Sequence, residues 1–129
     1  MTRGGPKSSP FLFYGKIMSN NVTRTPPLNQ SIVTAFVNAS SLGSNVVLAA
    51  VPGKSIRVID VAAVTTLANT VSFLSNASAI TAAWPLGANG GLVLPFNEHG
   101  WFQTNIGEGL NVNLGVATAT GVHINYIVL

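Results

Sequence analysis

An all-β fold is predicted: a β-sandwich or jelly-roll-like body of about eight or nine strands, with an extended N-terminal arm. Three observations predict it. From residue 31 onward, short runs rich in Val, Ile, Thr and Leu recur at close spacing. Clusters of Gly, Pro, Asn and Ser separate those runs, and no stretch keeps the 3.6-residue apolar period of a helix. The chain therefore divides into an arm, residues 1–30, and a sandwich domain, residues 31–129, expected also to carry the contacts that make a trimer.

The arm has no sustained period of 2 or 3.6 residues. Pro6, Pro10, Pro26 and Pro27 fall where a strand or helix would need a backbone donor. Four of the six basic residues of the chain, Arg3, Lys7, Lys16 and Arg24, sit in it, and no acidic residue precedes Asp60. Phe11, Phe13 and Tyr14 form an aromatic knot that gains by burial, so the arm is expected to order along a partner. Folding back onto its own body is the alternative.

In the body, strands are expected at Ile32 to Val37, Val46 to Ala50 and Ser55 to Val64. The third alternates through Arg57 and becomes apolar on both faces from Ile59, with Asp60 the interruption, so its far end is expected to be covered on both sides. Alternation also puts Arg57 and Asp60 on opposite faces. A buried Asp60 would need a partner, for which Lys54 or another subunit is the candidate. Further strands are expected at Thr70 to Leu74, Ala79 to Ala83, Gly91 to Leu94 and Gly100 to Gln103. Leu110 to Leu114 alternates cleanly. The last strand sets Val122, Ile124, Tyr126 and Val128 on an apolar face against His123, Asn125, Ile127 and Leu129. Ser41 to Asn45, Pro52 to Lys54, Ser75 to Ser78, Asn89 to Gly91, Asn97 to Gly100 and Gly107 to Gly109 supply the turns.

Composition narrows the function. Six Lys and Arg and three Asp and Glu in 129 residues, with 47% hydrophobic residues, leave a surface poor in charge. A monomer usually carries about 25% charged residues; a chain so far below that is expected to bury surface against other subunits. The absence of cysteine removes disulfides, thiolate nucleophiles and Cys-based metal sites, and fits assembly in a reducing cytoplasm. The longest apolar runs fall far short of the roughly 20 residues of a spanning helix, and Phe11 to Tyr14 is too short for a signal-peptide core, so no membrane partner is expected. The scattered basic residues form no packed cluster or RNA-binding motif, so no specific nucleic acid is expected either.

The chemistry-bearing residues are few. Gly53-Lys54-Ser55 ends like a phosphate-binding loop, but Leu48 stands where that loop needs glycine and a strand follows where it needs a helix. Glu98, His99 and Glu108 are the leading acid-base candidates; adjacent Glu98 and His99 project apart if extended, and no nucleophile elbow accompanies them. No enzyme activity, metal or cofactor is expected. Trp84, Trp101, Phe102 and His123 are the candidate subunit-interface residues, the two tryptophans lying at strand ends where a seam or a sugar-stacking site could use them.

Leu48 to Val58, Trp84 to Asn97, Gly100 to Thr104 and Gly107 to Asn111, taken in that order, resemble the small β-sandwich structural proteins of tailed bacteriophages. These are head decoration or cement proteins and related fibre modules. The likeness covers residues 45–129. It implies a virion component on the capsid surface, assembled in the host cytoplasm, that forms a homotrimer and clamps subunits of the major capsid protein to stabilise the head. The arm, with Arg3, Lys7, Phe11, Phe13, Tyr14, Lys16 and Arg24, is then the candidate capsid-gripping element. A receptor- or glycan-binding module of a head or tail fibre is the alternative that the same resemblance allows.

Overall fold

The structure, a computed structural model, describes residues 31–129. The expected arm and its seven candidate contact residues lie outside the described residues. Ten strands form the body: β1 (Val33–Ala39), β2 (Gly43–Leu48), β3 (Ile56–Thr65), β4 (Asn69–Ser75), β5 (Ser78–Ala79), β6 (Trp84–Leu86), β7 (Gly91–Leu94), β8 (Phe102–Gln103), β9 (Leu110–Leu114) and β10 (Thr120–Val128). Among the described residues there is no helix, and none long and apolar enough to cross a membrane.

The strands make two antiparallel sheets of five. One runs β2-β9-β4-β5, with β6 also on β4; the other runs β1-β10-β3-β7, with β8 also on β3. The pairing is nested. The first strand pairs with the last, β2 with β9, β3 with β7 and β8, and β4 with β5 and β6. A long two-stranded ribbon rolled on itself gives this order, which is that of a jelly roll.

Alternation drives the packing. Val58, Val61 and Ala63 of β3 and Val122 and Ile124 of β10 turn inward from one sheet to meet Val71 and Phe73 of β4 and Leu110, Val112 and Leu114 of β9 from the other. Phe73 is fully buried, stacked on Phe102 at 4.9 Å between ring centroids and edge-on to Trp84 at 6.5 Å. Polar groups caught in the interior are paired. Thr104 accepts from the Ile56 amide at 2.9 Å, and Ser75 Oγ donates to Glu108 at 2.6 Å while accepting from the Asn105 amide. Gly109 passes so close to β2 that a Cβ there would lie 2.7 Å from the Leu48 carbonyl oxygen, so the second glycine of Gly107-Glu108-Gly109 is set by backbone approach.

The structure corrects four expectations. Residues 43–45 belong to β2 and not to the turn, because Asn45 reaches back to accept from the Ser41 amide and donates to the Ser41 and Gly43 carbonyls, tightening the bend to Ser41 and Leu42. The run Ala79 to Ala83 is not one strand. Thr81 Oγ1 replaces a backbone acceptor for the Phe73 amide, the ladder breaks, and β6 begins at Trp84 with Pro85 on the sheet edge. The far end of β3 is not covered on both sides among the described residues: Ala62 is exposed, and Val64 is 57% exposed.

Arg57 and Asp60 do not face opposite ways. The β3 ladder on β10 runs Arg57 to Ile127 and Val58 to Tyr126, then skips to Asp60 opposite Asn125, leaving Ile59 as the extra residue of a bulge. Ile127 and Asn125 share a face, so Arg57 and Asp60 share it too.

Phe73→Ala is expected to lower stability by about 3–5 kcal/mol. Leu42→Ala, at a position 67% exposed, should change it by no more than about 0.5 kcal/mol. Denaturant unfolding of both variants checks the pair.

Candidate functional site

Register aligns side chains of four strands on the outer face of the β1-β10-β3-β7 sheet. Phe36 on β1 lies opposite His123 on β10, His123 opposite Ala62 on β3, and Ala62 opposite Val93 on β7. The four form one row pointing away from the core. Phe36 is 70% exposed and Val93 72%, and Val64 stands one row along. The rings of Phe36 and His123 stack, with centroids 6.3 Å apart and planes 24° from parallel. Three of the four groups in the row are apolar and the fourth is the His123 imidazole, and all four are exposed.

A polar row lies two residues further along the same face. Asn125 Nδ2 donates to both carboxylate oxygens of Asp60, at 3.0 and 2.9 Å, and Asn125 Oδ1 accepts from the Thr34 hydroxyl. Three strands are thereby tied by side chains as well as backbone. Asp60 is half-buried and its partner is Asn125, where Lys54 or another subunit was the candidate. Arg57 donates from Nε to Gln103 at 2.9 Å.

A second surface opens where the short strands β6 and β8 face each other across the sandwich. Ile80, Thr81, Ala82, Trp84, Leu94, Trp101 and Phe102 line a groove of about 340 Å³. Both of its side-chain hydrogen-bond donors are engaged within the protein. Trp101 Nε1 donates to the Pro95 carbonyl at 2.7 Å, and Thr81 Oγ1 donates to the Ala82 carbonyl while accepting from the Phe73 amide. The groove therefore offers an apolar ligand a good fit and a hydroxylated one few free partners.

Of the expected interface residues, the structure brings Trp84, Trp101 and Phe102 together in this groove and places His123 on the outer face of the sheet instead. Phe36, Val93 and Asn125 were missed. Apolar residues on both faces of a short strand read the same whether the second face meets a core or a partner, so only the isolated Asn125 among valines and isoleucines carried a signal in the sequence. The acid-base candidates do not converge. Glu108 accepts from Ser75 and Asn105 in its own loop, and the His99 amide donates to Asn97 in a turn. Among the described residues no three His, Asp or Glu side chains group as a metal site. Gly53-Lys54-Ser55 is a turn, with the Lys54 amide on the Val51 carbonyl, leading into β3.

No protein-family model matches the chain, and no curated protein matches it.

Asn125→Ala removes the donor that both Asp60 oxygens share, and is expected to destabilise the body by about 1–3 kcal/mol. The Asn125→Ala/Asp60→Ala double variant should recover part of that loss. Thermal unfolding of the single and double variants measures the coupling.

Proposed function

We propose that this chain is a structural protein of a tailed-bacteriophage virion, a head decoration or cement protein. Its jelly-roll bodies associate as homotrimers on the capsid surface and brace neighbouring subunits of the major capsid protein. The observation that carries this reading is the exposed row Phe36, His123, Ala62 and Val93, an apolar strip on a body with only five charged side chains, Lys54, Arg57, Asp60, Glu98 and Glu108. Apolar area has to be covered for such a surface to stay in solution, and specific protein interfaces bury roughly 1,200–2,000 Å² in doing so. Charge supports a division of labour. The two basic groups of the body are outnumbered by three acidic ones, whereas Arg3, Lys7, Lys16 and Arg24 give residues 1–30 a basic balance suited to gripping an acidic capsid surface together with Phe11, Phe13 and Tyr14.

The rival reading, a receptor- or glycan-binding module, has the aromatic lining of the groove in its favour. Sugar recognition also needs polar groups aimed at hydroxyls, and the groove's own side-chain donors, Thr81 and Trp101, are engaged with the Ala82 and Pro95 carbonyls. That engagement favours an apolar side chain of a neighbouring subunit as the occupant of the groove, with Trp84 and Trp101 as walls.

The purified protein is expected to have the native mass of three chains when dilute and to sediment with heads that lack it. Val64→Glu/Val93→Glu should weaken that binding at least tenfold, about 1.4 kcal/mol, while the unfolding midpoint stays near that of the parent. A virion proteome without this chain, or undiminished head binding by the double variant, would overturn the reading.

A further inference from the structure

A sandwich has four lateral edges, and three of them here are guarded against pairing with another chain. The edge of one sheet is broken into β5, of two residues, and β6, of three with Pro85 in it. The corresponding edge of the other sheet is broken into β7, of four residues ending before Pro95, and β8, of two. On the far side, β2 has an irregular register against β9 at Leu110/Asn111 and begins at Gly43, where φ is +87°. The fourth edge is β1. It has seven residues in unbroken register with β10, no proline and no charged side chain. Among the described residues, nothing pairs with its outer side.

Its sequence also matches itself in reverse. Val33-Thr34-Ala35-Phe36-Val37-Asn38-Ala39 reads apolar, polar, apolar, aromatic, apolar, polar, apolar from either end. We propose that β1 docks a second copy of this chain, the two β1 strands pairing antiparallel about a two-fold axis at Phe36. Thr34 then faces Asn38 of the second copy, Phe36 faces Phe36, and Ala35 faces Val37. Polar groups meet polar groups on the outer face and small apolar groups meet on the inner one, and no charge is opposed by another. Each four-strand path becomes half of a continuous eight-stranded sheet. The row of Phe36, His123, Ala62 and Val93 meets its own copy end to end and doubles in length.

The contact is isologous, so it closes at two copies. Trimers set side by side on a closed shell have two-fold relations between neighbours, so the β1 edge would join trimers without competing with a three-fold seam. The inference does not rest on the virion reading, because it concerns the purified chain alone.

The chain has no cysteine, which makes single introduced cysteines unambiguous reporters. In the full-length protein, oxidised at the highest soluble concentration, Phe36→Cys should give a disulfide-linked dimer. Thr34→Cys and Asn38→Cys should each remain uncrosslinked alone, because each lies four residues out of register with its own copy and beyond disulfide reach. An equimolar mixture of those two variants should crosslink into the mixed dimer, identified by mass. The two productive cases should exceed the two unproductive ones at least tenfold. Failure of Phe36→Cys to dimerise, or equal crosslinking by all three single variants, overturns the proposal. Charge provides a second arm that leaves Phe36 in place. Thr34→Lys/Asn38→Lys should abolish the two-fold species in sedimentation and Thr34→Lys/Asn38→Glu should retain it, while identical behaviour of the two would also overturn it.

Discussion

The pairing of the last strand on both its edges is the constraint on which the rest of the structure depends. β10 is hydrogen-bonded to β1 on one side and to β3 on the other, so the start of the described body and the end of the chain are neighbours in one sheet. Every inner ladder of the rolled ribbon lies within that outermost one. Because side chains alternate strictly, the same register that turns Val122 and Ile124 into the core presents His123 and Asn125 outward. The exposed row and the Thr34, Asn125 and Asp60 chain beside it are thus consequences of one alignment. A slip of a single residue would exchange core and surface across the sheet.

Much of this was legible in the sequence, and the reasons differ by element. β7 and β9 were read to the residue, since Leu110 to Leu114 alternates without exception and Gly and Pro bracket Gly91 to Leu94. β3 was located but its faces were misread beyond Val58. A bulge is one additional residue, and nothing in Val58-Ile59-Asp60 marks Ile59 as the one the ladder skips. The same ambiguity hid the site. Val61 to Val64 is apolar on both faces, which a covered strand and an exposed interface strand share, so Ala62 and Val64 were read as covered. Trp84, Trp101 and Phe102 were marked by their size at strand ends beside Pro85 and Gly100, and all three line the groove while Trp84 and Phe102 also pack on the core. That they converge depends on β6 and β8 facing each other, a long-range fact which local pattern does not hold.

Thr81 shows how a polar residue can shape an apolar surface. Its hydroxyl takes the Phe73 amide that a regular ladder would pair with backbone, and this substitution interrupts the edge between β5 and β6. With the ladder interrupted, Ile80 to Ala82 become wall of the groove instead of rung of the sheet. The same hydroxyl donates to the Ala82 carbonyl, so the one hydroxyl in an aliphatic and aromatic lining is engaged within the protein. An edge guarded against strand pairing and a groove suited to an apolar side chain are therefore two results of one hydrogen bond.

The scarcity of charge gains a direction from the two outer faces. On the β2-β9-β4 sheet, Asn113 lies between Ser44 and Ser72, and Asn111 donates to Ser44 at 2.8 Å and to the Asn76 carbonyl at 3.0 Å. Amides and hydroxyls pair with one another and with backbone without charge and without long flexible side chains to immobilise, and Ser72 is buried among them. The opposite face carries the row from Phe36 to Val93, where water gains little by contact. The charges this second face does carry are held by neutral partners beside the row, Asp60 by Asn125 and Arg57 by Gln103, so that even here charge is spent on contacts within the body.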